Sequence, residues 1–140
     1  MSDPFDLQRF VEAQEPVFQD ALAELRAGRK NSHWMWFVFP QIEGLGTSAM
    51  AQHYAIRSRE EAAAYLEHPV LGPRLRECTR LVNAVAGRTA SQIFGYPDDL
   101  KFRSSMTLFA HATEENAEFV EAVRKYFAGE FDRATLQRLG

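Results

Sequence analysis

Signals that start and stop helices recur along the whole of this 140-residue chain and leave little room for any other regular structure. Gly28, Gly87, Gly95 and Gly129 each follow a stretch of helical period, and Pro16 and Pro40 stand where a helix begins or ends. Ser48, Ser58 and Asp132 can each offer a side-chain oxygen to the free amide groups of a first turn, and Ser58 with Glu61 fits a capping box. The spacing predicts helices from Phe5 to about Gln14, from Pro16 to Gly28, from Ser48 through Tyr54 and Ile56, and from Ser58 to Leu66, where His68 and Pro69 end the run. Further helices are predicted from Pro73 to Ala86, as a short turn from Thr89 to Phe94, from Pro97 to about Ala112, from Glu114 to Ala128, and after Asp132. Leu75, Cys78, Leu81, Val82 and Val85 keep the period of an amphipathic core helix.

Only Trp34 to Phe39, the run Trp-Met-Trp-Phe-Val-Phe, competes with this pattern, because its aromatic and β-branched content suits a buried strand. A lone strand would have no partner here, Ser32 is placed as an N-cap, and Pro40 is a natural end, so the reading favours a helix buried on all sides. The fold class expected is all-α: a compact multihelical single domain spanning residues 1–140.

A hydrophobic share of 46% is enough for one core, and a net charge of −3 with 25% charged residues favours neither disorder nor broad attraction to nucleic acid. The chain has no apolar run long enough to span a bilayer and no secretory signal, so the expectation is a soluble, cytoplasmic protein with no membrane partner. Cys78 is the sole cysteine, which excludes internal disulfides and paired-cysteine zinc or redox sites. His33, His53, His68 and His111 show no metal-ligand spacing, so no metal site is expected. Gly44-Leu45-Gly46 is too short for a dinucleotide fingerprint, and no cofactor is called for; the turn reading is the better one.

Two segments carry more polar and aromatic equipment than packing requires. In the first, Lys30, Ser32, His33, Trp34, Trp36 and Gln41 surround the aromatic run; a helix N-terminus at Ser32, with a hydroxyl and nearby cations, could hold a phosphate or carboxylate. The competing reading makes the aromatics core and has loops satisfy His33 and the two indoles. In the second, Phe102, Met106 and Phe109 share one face of a helix, while Leu108 and Ala112 share another with Lys101, Ser104, Ser105 and His111. A helix with two apolar sides sits between neighbours, so Lys101 and one or both serines should be partly buried or line a cleft. In the packing reading, the serines bond to carbonyls of the preceding turn and Lys101 pairs with Asp98 or a more distant acid. Cys78, in the middle of an apolar face, reads as an inert core thiol.

The runs Arg9-Phe10-Val11-Glu12-Ala13-Gln14, Ser32-His33-Trp34-Met35-Trp36-Phe37-Val38-Phe39-Pro40-Gln41 and Ser104-Ser105-Met106-Thr107-Leu108-Phe109 closely resemble the domain of unknown function 1810 family. The match also takes in Lys30, Gly44-Leu45-Gly46, Tyr54-Ala55-Ile56, the stretch from His68 to Gly72, and Ile93-Phe94-Gly95, nearly the whole chain. The resemblance implies a compact multihelical fold and no established reaction. Some members carry the label calpastatin, but calpastatin-type inhibitors are largely disordered, unlike a chain with this composition and these regular caps.

Three functions from different classes are compatible with the residues. One is an enzyme or ligand-processing protein acting on a small anionic molecule, nucleotide or ADP-ribose-like; another is a noncatalytic small-molecule or peptide binding module. The third is a structural or interaction protein in which the aromatics and serines merely specify the core. The first requires the two segments to converge, with a helix N-terminus at Ser32 facing the Lys101, Ser104 and Ser105 side of the second helix; the second uses the same pocket or holds a peptide on an exposed aromatic surface.

Overall fold

The structure is a computed structural model that describes residues 2–140, and among them it contains ten helices and no named strand. In chain order these are α1 (Gln8–Gln14), α2 (Phe18–Arg26), α3 (Met35–Val38), α4 (Ala49–His53) and α5 (Arg59–Glu67). They are followed by α6 (Leu71–Ala84), α7 (Ala90–Phe94), α8 (Asp98–Ala110), α9 (Ala117–Phe127) and α10 (Arg133–Leu139). The all-α class expected from the helix punctuation is the class observed.

Most starts form as their side chains predict. Ser48 Oγ accepts from Ala51 N at 3.1 Å, Ser58 Oγ from Glu61 N at 3.0 Å, and Asp132 Oδ2 from Thr135 N at 3.1 Å. The reciprocal capping box is at Thr89 and Gln92, where each side chain takes the other's backbone N–H. At Ser58 only half a box forms, because Glu61 turns to Arg57 N and to the guanidinium of Arg9. The predicted start at Pro73 moves back to Leu71, since His68 Nδ1 accepts from Val70 N at 3.1 Å and Leu71 N at 3.2 Å and so nucleates the turn two residues earlier.

The expectation of an N-cap at Ser32 is corrected. Trp34 holds the N-cap position of α3 with no side-chain cap bond, and α3 is a single turn before Pro40. Ser32 is diverted by Glu24 of α2, whose carboxylate accepts from Asn31 N, Ser32 N, Ser32 Oγ and Trp34 Nε1 at 2.5 to 3.0 Å. Beyond Pro40 the chain extends just far enough for one parallel bridge, with Ile56 N donating to Gln41 O and Glu43 N to Ile56 O, both at 2.8 Å.

α8 runs through the middle of the molecule, packed by α5, α7, α9 and α10. Phe102 and every residue from Ser104 to Ala110 are buried, as a helix with two apolar sides demands. The aromatic run supplies the other half of the core: Trp34 and Phe39 are fully buried, and Phe39 meets Phe102 edge-on with ring centres 5.1 Å apart. Phe94 stacks on Phe102 at 4.7 Å, which locks α7 to α8. α6 lies against α2, α5 and α9 through Leu71, Leu75, Cys78 and Val82, residues on one helical stripe. At the α5–α6 corner a β-carbon on Gly72 would come within 2.0 Å of Leu66 O, so only glycine permits this approach.

Candidate functional site

Both segments marked in the sequence converge on the first two turns of α8. Lys101 and Ser104 are three residues apart and therefore share a face of that helix. They line an open cleft of about 400 Å³ whose other walls are the 45–48 loop with Ala51, and the start of α10 with Asp132 and Ala134. Gln41 completes the polar lining, while Leu45, Pro97 and Leu100 supply apolar surface. Gln41 is half-buried, and its side chain forms no hydrogen bond among the described residues. A second hollow of about 480 Å³ adjoins the cleft across Gly46 and Thr47 and carries Glu43 and Gln52 on its wall.

The electrostatics of the cleft depend on a lysine pair that shares one carboxylate. Lys101 Nζ lies 3.3 Å from Asp98 Oδ1, and Lys30 Nζ lies 2.9 Å from Asp98 Oδ2. The lysine side chains differ in exposure, 8% for Lys30 and 27% for Lys101, so only Lys101 faces the cleft to a useful extent. Each ammonium also sits over an indole, Lys30 at 5.2 Å from the Trp34 ring centre and Lys101 at 5.6 Å from that of Trp36. The pair of Lys101 with Asp98 is one that the packing reading of α8 named, and Lys30 reaches the same group from the other segment.

Asp132 forms the opposite wall. Its Oδ2 lies 3.0 Å from Ser104 Oγ and accepts from Thr135 N and Thr135 Oγ1, the latter at 2.5 Å. Ser104 Oγ also lies 3.2 Å from Leu100 O, the back-bond to the preceding turn that its helical position offers. One carboxylate oxygen thus fixes α10 to α8 and holds the Ser104 side chain in place.

The remaining candidates lie elsewhere. Ser105, one step around the helix, is fully buried, and its Oγ has no partner, so it does not reach the cleft. Ser32 and the Trp34 indole are committed to Glu24, and Trp34 is core. Burial pushes the Glu24 carboxyl up, but hydrogen bonds from Ser32 Oγ, the amides of Asn31 and Ser32, and the Trp34 indole outweigh it and hold the group below its ordinary value. The anion for which Ser32 is equipped is supplied by the chain itself. His33 is exposed and makes no side-chain hydrogen bond among the described residues, and Trp36 is half-buried beside Lys101. His111 Nδ1 lies 2.7 Å from Thr107 O, and the ring packs on Phe131 away from the cleft lining. Burial pushes the Cys78 thiol up to about 12, in keeping with a core thiol.

Sequence reasoning missed Asp132 and Glu24 as participants. Asp132 carried a signal, its cap position, but nothing in the sequence places α10 beside α8; Glu24 carried none, being one of several acids on an amphipathic helix. Among the described residues no group of three or more histidine, cysteine, aspartate or glutamate side chains is placed to hold a metal ion. No helix there is long and apolar enough to cross a membrane.

The fold and cleft define the class: an all-helical protein whose central helix turns a lysine and a serine toward an open, partly apolar cleft. The chain belongs to the family described as Protein of unknown function (DUF1810), which matches residues 4–139. It is similar to the conserved hypothetical protein Rv1873 from Mycobacterium tuberculosis, whose crystal structure is 61% identical in sequence over 98% of each chain and superimposes with a TM-score of 0.97. No curated protein matches it.

Proposed function

We propose that the protein binds a small polar molecule carrying an acidic group, with Lys101 as the anchor for that group and Gln41 and Ser104 as orienting partners. The observation that carries this reading is the convergence of Gln41, from the first segment, with Lys101 and Ser104, from the second, on one cleft of about 400 Å³. That volume suits a small-molecule site, and the mix of a few polar groups with Leu45, Pro97 and Leu100 suits a ligand with one apolar face. Nucleotides, ADP-ribose and sugar phosphates are the ligand classes to try first.

Binding without catalysis is the better-supported form of this reading. A serine nucleophile needs a base, and the carboxylate beside Ser104 Oγ is already engaged by two donors from Thr135 as the cap of α10. No histidine lines the cleft. The 3.0 Å contact from Ser104 to Asp132 is the one observation that favours an enzyme, and product formation settles between the two forms.

The test is a thermal-shift and NMR screen of the wild-type chain and Lys101→Met against nucleotides, ADP-ribose, sugar phosphates, amino acids and peptides, with each binder then assayed for turnover. A binder whose affinity falls in Lys101→Met, and which shifts the amide signals of Thr47, Lys101 and Ser104, supports the proposal. Binding that is indifferent to Lys101, or product that disappears in Ser104→Ala, overturns the binding-protein reading.

A further inference from the structure

Lys30 does not line the cleft, yet it holds the better-made contact with Asp98: 2.9 Å from a side chain 8% exposed, against 3.3 Å from Lys101. Without Lys30, Asp98 would need Lys101 in full. With it, the two ammonium groups and one carboxylate sum to a single positive charge, carried on the lysine that faces the cleft. That charge has limits. Asp99, next to Asp98 in the first turn of α8, forms no ion pair among the described residues, and Asp132 stands across the cleft. Lys30, Lys101, Asp98, Asp99 and Asp132 together carry one net negative charge, and Lys101 is the one cation lining the cleft; a second charge on the ligand doubles its attraction to Lys101 but raises its cost of leaving water about fourfold. A singly charged group placed on Lys101 forms the same ion pair at the lower desolvation cost.

We infer that Lys30 is a positioning residue that keeps Lys101 free for a ligand, and that the cleft selects a singly charged anionic group, a carboxylate or phosphodiester, over a phosphomonoester dianion. This rests on the proposal that Lys101 anchors the ligand. The Trp34 ring beneath Lys30 and the Lys30 N–H bond to Ile93 O at 2.7 Å fix the residue from its own backbone outward, as a positioning role requires.

The experiment uses dimethyl phosphate as the singly charged probe and methyl phosphate as the dianion, titrated into the full chain and followed by the amide NMR signals of Thr47, Lys101 and Ser104. Dimethyl phosphate is expected to bind the wild type more tightly, Lys30→Met to weaken it about tenfold, and Lys30→Met with Asp98→Asn to restore it. Asp98→Asn alone, which needs no new packing, is expected to shift the preference toward methyl phosphate. Tighter binding of methyl phosphate to the wild type, or no change of preference in Asp98→Asn, overturns the selectivity. A Lys30→Met chain that melts earlier but binds as well as wild type overturns the positioning role and leaves Lys101 as the anchor. If neither probe shifts those signals, or both bind Lys101→Met as well as wild type, the cleft reading fails and this inference fails with it.

Discussion

Arg9 is the most heavily engaged side chain in the molecule. Its guanidinium donates to the carbonyls of Phe5, Asp6, His53 and Ala55 and pairs with Glu61 at 2.9 Å, with side-chain exposures of 7% and 1%. Removing one partner strands the other charge in the interior, so Arg9→Met is expected to cost about 3–5 kcal/mol in urea unfolding, and adding Glu61→Leu to recover much of the loss. Glu24 has a pH signature. Its carboxyl is held below the ordinary value of 4.5, so its contribution to stability is fully present above that value and is lost as the pH falls toward the lowered one. Melting temperatures measured from neutral to acid pH should fall less steeply in Glu24→Gln than in the wild type, from a lower starting point. Neither partnership was legible in the sequence: Glu61 could be read only against Ser58, three residues before it, while Arg9 lies far outside any local pattern.

The elements were far more legible than their partners, because a cap or a terminating glycine acts within a turn of its own position. α4, α5, α7 and α10 begin at the residues whose side chains mark them. α3 departed from the pattern for a reason outside it, since a carboxylate from α2 took the donors that Ser32 was expected to organise. α8 shows what period alone can and cannot settle. Its two buried sides followed from the spacing of Phe102, Met106, Leu108 and Phe109, but spacing could not say which serine would face a cleft. Ser104 does, and Ser105 is sealed in the interior with an unpaired hydroxyl. The two alanine variants should therefore part in sign: Ser105→Ala is expected to raise stability by on the order of 1 kcal/mol, and Ser104→Ala to lower it by about as much. Parallel denaturant melts check this, and equal losses would contradict the reading of Ser105.

At the scale of the whole molecule one contiguous core joins all the long helices, and Cys78 on α6 is buried within it. With its thiol buried and pushed up to about 12, labelling by a thiol reagent in the native protein should proceed only as fast as the core opens. Its rate is expected to rise with denaturant in step with global unfolding, and rapid labelling at zero denaturant would contradict the packing of α6. The cleft of Lys101 could not be read from the sequence, because it arises where a loop, α8 and the start of α10 happen to meet, and no segment encodes that alone. The carboxylate of Glu24 among its four donors has a consequence for any ligand search. A tethered group acts at an effective concentration of mM or more, so a free anion added at ordinary concentration competes poorly for the Ser32 amides and hydroxyl. At neutral pH the donor cluster that looks most like a receptor is filled by the chain's own carboxylate, so under the proposed reading an anion bound by this protein reports on Lys101.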